Sequence, residues 1–536
     1  MMSTVSWNAF YNVFNTPKWI VFDACVTFAL LHFCILKKNI EIGKLGKTYI
    51  IIILVMLLSL LKAVNLVEGV NFILRFSGSI FLSYYFITFL LPKLSKNLIL
   101  DSILFSSLFF SLFYIYSRIQ NYDDIHYTAF STLGFVNNLG QVLNVWLPLL
   151  IASIWEQRKN KVKLAIGSFS FFVCIFSLLE SGTRGTILGL IVGELFLFLL
   201  IFKSQKEKAL LYISITASIF SVGLVFSHMD NYLGGKLSNN INSVLEMNTG
   251  RETLFMNSID MVLDNPIGVG VNNFEYIHQK YAKLGTTQSS PLVSYNTALK
   301  TPHNILLKVF SELGWFGGLL FTSIFIFIIY FAIVNAMHGG VADKLALVSV
   351  ISTMFHSLFT ALFLTPASLY FSVLLFSFVL YRLNLKTNTK IVTKKPKATI
   401  KSYYLTILLS LYLCFFTLYH LSNYYSYQGF ISGQKEVMQK GIKLNPYNER
   451  ALYDYYTLQS KLYGNVEESR LALEQFLAVY PYHAGALLAS AELHHKQKNY
   501  HAALADLEFL LSFYPQSQRA TTLRKSLLFA TGKARE

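Results

Sequence analysis

Apolar residues occur in long, nearly uninterrupted runs, without the polar face that a helix of a soluble protein would show. The runs lie at about 19–36, 48–66, 70–91, 97–116, 134–155, 162–179, 186–202, 209–228, 313–335, 345–363, 368–384 and 403–421. Each is close to the roughly 17 to 25 residues that cross a bilayer core as a helix. The pattern predicts an all-α, polytopic membrane protein of about twelve transmembrane helices. No small-residue cleavage site follows the first run, which Lys37 and Lys38 flank instead. It therefore reads as a retained helix and not as a signal peptide.

Two long stretches interrupt the pattern and divide the chain into membrane helices 1–8 (1–228), a large loop (229–303), membrane helices 9–12 (304–421) and a tail (422–536). In the loop, Met256, Ile259, Met261 and Val262 are apolar at helical spacing, and Pro266-Ile267-Gly268-Val269-Gly270 follows as a turn. This predicts an amphipathic helix lying at the membrane surface, whereas 284–300 is polar and loop-like. In the tail, Asn445-Pro446-Tyr447, Tyr480-Pro481-Tyr482 and Tyr514-Pro515-Gln516 recur at spacings of 35 and 34 residues. Leu473, Phe476 and Leu477 correspond to Leu507, Leu510 and Leu511. A 34-residue helix-turn-helix period predicts a small tetratricopeptide-like stack that leans on the membrane part or on a partner.

Composition agrees with the membrane reading, because 54% of residues are hydrophobic and only 14% charged, against about a quarter charged in soluble domains. The net charge of +17 would suggest a nucleic-acid partner if it formed one patch. It is spread instead over alternate loops: Lys37, Lys38, Lys44 and Lys47; Lys93 and Lys96; Arg158, Lys159, Lys161 and Lys163; Lys203, Lys206 and Lys208; and a final group from Arg382 to Lys401. Basic loops stay on the cytoplasmic side, so both termini, the large loop and the tail are expected outside and no nucleic acid is implied. Cys25, Cys34, Cys174 and Cys414 all fall within spans and supply neither a disulfide framework nor a metal cluster to the external parts.

Ionisable residues at membrane depth are costly and are candidates for function. Lys62 and Arg75 stand at similar depth near the outer ends of spans 2 and 3. They read either as side chains snorkelling to the interface or as a cationic floor for an anionic lipid headgroup. His356 reads as a packed core residue. Glu180-Ser181-Gly182-Thr183-Arg184-Gly185 presents an arginine from a turn at the outer end of span 6, and Arg251 opens the amphipathic helix of the loop. A guanidinium beside outward-pointing helix amides makes an anion site, and two arginines without a carboxylate cluster suggest phosphate binding without a metal. In Thr301-Pro302-His303-Asn304 the proline suits a helix start, which projects His303 at the membrane-water boundary on the same side as both arginines.

Gly134-Phe135-Val136-Asn137-Asn138, Ser181-Gly182-Thr183-Arg184-Gly185, Gly250-Arg251 through Asn265-Pro266-Ile267-Gly268-Val269-Gly270 and Asn273-Phe274, and Pro302-His303-Asn304 with Glu312, Gly314 and Gly317 together resemble the O-antigen ligase and polymerase superfamily, most of all its protein O-oligosaccharyltransferases of the pilin-glycosylating kind. The matches run in order over about 130–320. Where some members read His-Pro-His-Asn this chain has Thr301, so the first histidine of that motif has no counterpart. The resemblance implies a GT-C-like glycosyltransferase of the bacterial inner membrane. It implies transfer of a glycan from an undecaprenyl pyrophosphate carrier to an acceptor hydroxyl in the periplasm, with no cofactor or metal. It also implies His303, Arg184 and Arg251 as catalytic residues, with Lys62, Arg75, Asn137, Asn304 and Glu312 expected to bind substrate.

The chemistry fits that implication, since two guanidiniums can stabilise a departing pyrophosphate and a neutral imidazole can take the acceptor proton. A secondary transporter would place its site at mid-membrane on broken helices, and a scaffold would need neither the paired arginines nor the histidine. The acceptor is a protein, the lipid A-core or a growing glycan. The added tail favours a protein, because repeat stacks commonly bind polypeptide, and the tail is expected to position the acceptor and to perform no chemistry.

Overall fold

The computed structural model describes residues 9–12, 15–37, 40–41, 44–120, 136–181, 183–202, 251–290, 292–296, 299–360, 362–387 and 399–531. Helices α1 (Asn15–Ile35), α2 (Lys44–Ser59), α3 (Leu66–Tyr85), α4 (Lys96–Gln120), α5 (Val136–Gln157), α6 (Lys161–Ser181) and α7 (Arg184–Phe202) precede the loop. The loop contributes α8 (Arg251–Asp264) and a helical turn at Phe274–His278. After it come α9 (Ile305–His338), α10 (Val341–His356), α11 (Pro366–Thr387) and α12 (Ser402–Ser432). Among the described residues nine helices are long and apolar enough to cross a membrane. The spans expected at 48–66 and 345–363 are the shorter α2 and α10, 16 residues each, continued by 3-10 turns at Leu60–Lys62 and Leu362–Leu364. The span expected at 209–228 lies outside the described residues. Strand β1 (Ile40–Glu41) pairs antiparallel with β2 (Thr399–Ile400), which puts the basic segments before α2 and before α12 on one face of the bundle.

Packing of α7 on α10 depends on three glycines one turn apart. A Cβ at Gly189 would stand 2.7 Å from the Ser352 carbonyl oxygen, and one at Gly193 2.8 Å from that of Val348. At Gly185 it would stand 2.7 Å from the His356 ring. Small residues let membrane helices approach to backbone contact, where dispersion and not hydrophobicity drives association.

Helix α9 is broken at Gly314, whose φ of 68° and ψ of −171° belong to a region essentially reserved for glycine. The break frees peptide groups, and the loop takes them up. Val269 N donates to Ser311 O, Gly270 N to Glu312 O and Trp315 N to Pro266 O, all at 3.0 Å. Phe274 N donates to the Glu312 carboxylate at 3.2 Å, and Lys308 pairs with the same carboxylate. The turn 266–270 is thereby clamped to the membrane helix. Helix α8 forms where its spacing predicts it, burying Leu254, Met261 and Val262 while Met256, Ile259 and Leu263 face outward. Its second apolar face is exposed.

The tail consists of α13 (Lys435–Leu444), α14 (Glu449–Leu458), α15 (Val466–Val479), α16 (Ala484–Lys496), α17 (Tyr500–Phe513) and α18 (Gln518–Ala530). Its period is also a capping period. Asn448, His483 and Ser517 cap α14, α16 and α18 by accepting from Ala451, Ala486 and Ala520, and Asn465 and Asn499 cap the helices between them. The tail does not stand apart from the loop. Leu254, Ala282, Leu284 and Val293 share one core with Leu487, Leu504 and Leu507 of the tail. Tyr480 donates its hydroxyl to Glu275 O (2.7 Å), and Ala484 N donates to the Gln279 side chain (3.0 Å).

Asn65, fully buried, ties the three parts together. It caps α3 by accepting from Glu68 N at 3.1 Å, its own N–H donates to the Asn273 side chain at 2.7 Å, and its amide donates to Tyr276 Oη and Tyr447 O at 3.0 Å each. Asn65→Ala leaves Glu68 N, Tyr276 Oη and Tyr447 O without their partner around a buried residue. Each orphaned group costs about 1–3 kcal/mol, so limited proteolysis in detergent should cut the loop and tail faster than in the wild type while the membrane helices stay protected. Unchanged protection would contradict this role for Asn65.

Candidate active site

The site lies at the loop-bearing ends of α7, α8, α9 and α10. Arg184 and Arg251 are the first residues of α7 and α8, and both are half-buried. They are close enough to act on one another: burial first, and then the Arg184 charge, lowers the pKa of Arg251. Two like charges held this way invite an anion between them, and the α7 and α8 N-terminal amides add to the attraction.

His303 stands two residues before α9, with φ of 56°, an uncommon left-handed conformation for a non-glycine residue. Its N–H donates to Thr301 Oγ1 at 3.2 Å, and Asn304 beyond it caps α9 by accepting from Leu307 N at 3.0 Å. Burial, and then the positive charge of Arg251, brings the His303 imidazole down to about 4. It is neutral at physiological pH and carries a lone pair for a proton. Its Nδ1 is buried and has no hydrogen-bond partner among the described residues.

The structure therefore brings Arg184, Arg251 and His303 to one place and adds His356, which lies within electrostatic reach of Arg251. His356 is buried in α10 as a core residue would be, yet its ring rests against Gly185, next to Arg184. An ionisable residue within a span was the signal in the sequence, and the apolar residues around it masked that signal.

The other expected binding residues make contacts of their own within the protein or stand apart from this group. Glu312 is 2% exposed and is spent on the loop clamp, and Asn304 is spent on the α9 cap. Asn137 lies in the first turn of α5, and its side chain lies outside the described residues. Lys62 is exposed, whereas Arg75 is buried, 3.5 Å from Asp23 and 3.8 Å over the Trp19 ring. The two cations do not form a shared floor. Asp23 also accepts from Tyr412 Oη at 2.9 Å and meets His420 Nε2 at 3.0 Å.

Arg75 instead lines a cavity of about 910 Å³ bounded by membrane helices, loop and tail. On α9 its wall runs from Ile305 to Ile328, on the order of 35 Å at 1.5 Å per residue. The deep part is lined by Phe72, Phe76, Phe325 and Phe376, and the upper part by Trp19, Asn71, Asn272, Tyr419, Tyr453 and Tyr480. Charges around the upper part are mixed: Glu68, Glu275 and Glu312 stand with Arg75, Lys300 and Lys308. Thr301, which holds the His303 backbone, belongs to this wall, while Arg184, Arg251 and His303 do not. The site and the cavity meet at Thr301-Pro302-His303.

Removing the Arg251 charge should let the His303 pKa rise, because a neighbouring cation disfavours imidazolium. In Arg251→Ala the pH profile of diethyl pyrocarbonate modification at His303, read by peptide mass spectrometry, should move upward towards the ordinary histidine value of about 6.5. An unmoved profile would show that the two groups do not share a site.

Comparison with individual curated proteins finds no match. Residues 169–322 match the O-antigen ligase family, a stretch that holds Arg184, Arg251 and His303 and ends within α9. This part of the chain is an O-antigen ligase family domain, the domain of a glycosyltransferase family.

Proposed function

We propose that the protein transfers a glycan en bloc from an undecaprenyl pyrophosphate carrier to an acceptor hydroxyl, without a metal, at the outer face of the bacterial inner membrane. The observation that carries this reading is the meeting of two half-buried arginines and one neutral imidazole at the ends of three helices. The acceptor oxygen attacks the anomeric carbon as the bond from that carbon to the phosphate oxygen breaks, and the bonding electrons leave with the pyrophosphate. Arg184 and Arg251 stabilise the charge that builds on the leaving group. His303 takes the hydroxyl proton, and depression of its pKa keeps it unprotonated and ready.

The cavity beside His303 supports a lipid-anchored acceptor, as in ligation of O-antigen to the lipid A-core. Its deep part, from Leu313 to Ile328 on α9, is apolar over on the order of 20 Å at 1.5 Å per residue, most of the roughly 30 Å bilayer core. Its upper part offers aromatic faces and planar amides suited to a hydroxylated headgroup. The balanced charges around it do not favour a diphosphate, which the arginines serve better. A protein acceptor, which the tail alone suggests, has less support, because the loop covers the tail face that contributes Leu487, Leu504 and Leu507.

His303→Ala should abolish transfer and leave carrier binding intact. In the wild type kcat/KM should stay level from pH 8 down to about 5 and fall as the pH approaches about 4, where the imidazole becomes protonated. Loss of rate below about pH 6.5, the value of an unperturbed histidine, would contradict a buried neutral base, and reversible loss of activity in EDTA would contradict the metal-free scheme. Mass spectrometry of a deletion strain tests the acceptor: lipid A-core without its glycan and unaltered glycoproteins are expected, and the reverse result would restore the protein acceptor.

A further inference from the structure

His356 is the one imidazole at the site to which the scheme above gives no task. Two donors converge on its Nδ1, the Asn144 side-chain amide at 2.7 Å and the Thr186 hydroxyl at 3.4 Å. The Asn144 amide also donates to Ser352 O at 3.4 Å, which fixes the way it faces. With Nδ1 accepting, the proton of the neutral ring resides on Nε2. Nε2 takes part in neither of these bonds. It lies 3.0 Å from where a Cβ on Gly185 would stand, and so faces the first turn of α7 beside Arg184. Any other residue at 185 would displace the ring. The ring thus meets the N-terminus of α7 at Gly185 and lies within electrostatic reach of Arg251.

We infer that His356 is a third ligand of the carrier diphosphate, donating from Nε2–H to a phosphate oxygen held by Arg184 and Arg251, with Asn144 setting its tautomer. This rests on the reading of the arginine pair as the diphosphate site. His356 stays neutral throughout and transfers no proton, which separates its task from that of His303. Ser357 O accepts from Ile305 N at 3.0 Å, so the segment carrying His356 is also tied to the turn carrying His303, and the two imidazoles keep a fixed relation.

The test uses the full-length protein and binding of undecaprenyl pyrophosphate without a glycan, which cannot react. In glutamine the amide nitrogen reaches the position of Nε2, whereas in asparagine it reaches only that of Nδ1. His356→Asn and His356→Leu should weaken binding by about 10- to 100-fold, the worth of one hydrogen bond to a charged group, while His356→Gln stays near the wild type. In transfer assays Asn and Leu should act mainly on KM for the donor and leave the pH profile unmoved. Equal binding by all three variants, or a glutamine variant as weak as leucine, would overturn the inference and return His356 to packing alone. If Arg184→Ala and Arg251→Ala bind the carrier as the wild type does, the diphosphate site itself is misplaced and the inference falls with it.

Discussion

The buried hydrogen bonds of Asn65 hold membrane helix, loop and tail in one structure, and the placement of Arg251 and His303 depends on that union. A loop beside a membrane has few ways to satisfy its backbone, since each unpaired peptide group taken out of water costs free energy. Here the break in α9 at Gly314 and the turn 266–270 pair each other's peptide groups, and Asn65 and Asn273 close the other side. The tail then covers the loop with an apolar core common to both. Arg251 and His303, at the two ends of this assembly, are held by packing and not by the membrane helices alone. The tail in this arrangement is part of the scaffold of the site, whatever else it binds.

A second constraint works from inside the bilayer. The glycines at 185, 189 and 193 bring α7 against α10 at backbone distance, and the outermost contact is Gly185 with His356. Close approach of two helices thereby becomes close approach of an arginine and an imidazole. The anion site is built on helix ends, where amides point outward, and the amphipathic cavity lies on the other side of the Thr301-Pro302-His303 turn. In the proposed transfer these are the separate places of a diphosphate and of a hydroxylated lipid, with a base at their junction.

Much of this was legible in the sequence. Unbroken apolar runs give helices directly, and the amphipathic helix from Arg251 and the 34-residue period of the tail followed from spacing alone. Arg184, Arg251 and His303 could be grouped because helix ends on one face of a membrane share a side. Partners across long sequence separations were not legible. Nothing local to Asp23 and Arg75 says that they pair, so Arg75 read as a free cation. The clamp made by Glu312 and the cap made by Asn304 were not legible either, because a motif does not show which residue holds the loop. The tail read as a docking array because its apolar residues were counted against one another, while Leu254, Leu284 and Val293 of the loop compete for the same face.

The central claim is that the diphosphate of the carrier is held between Arg184 and Arg251, apart from the cavity. Its most direct test is a cryo-EM map of the His303→Ala protein with undecaprenyl pyrophosphate bound. The account predicts phosphate density between the two guanidiniums at the α7 and α8 N-termini. Density instead beside Arg75 and Lys300 in the cavity, with the Arg184 and Arg251 side chains making no contact, would contradict it.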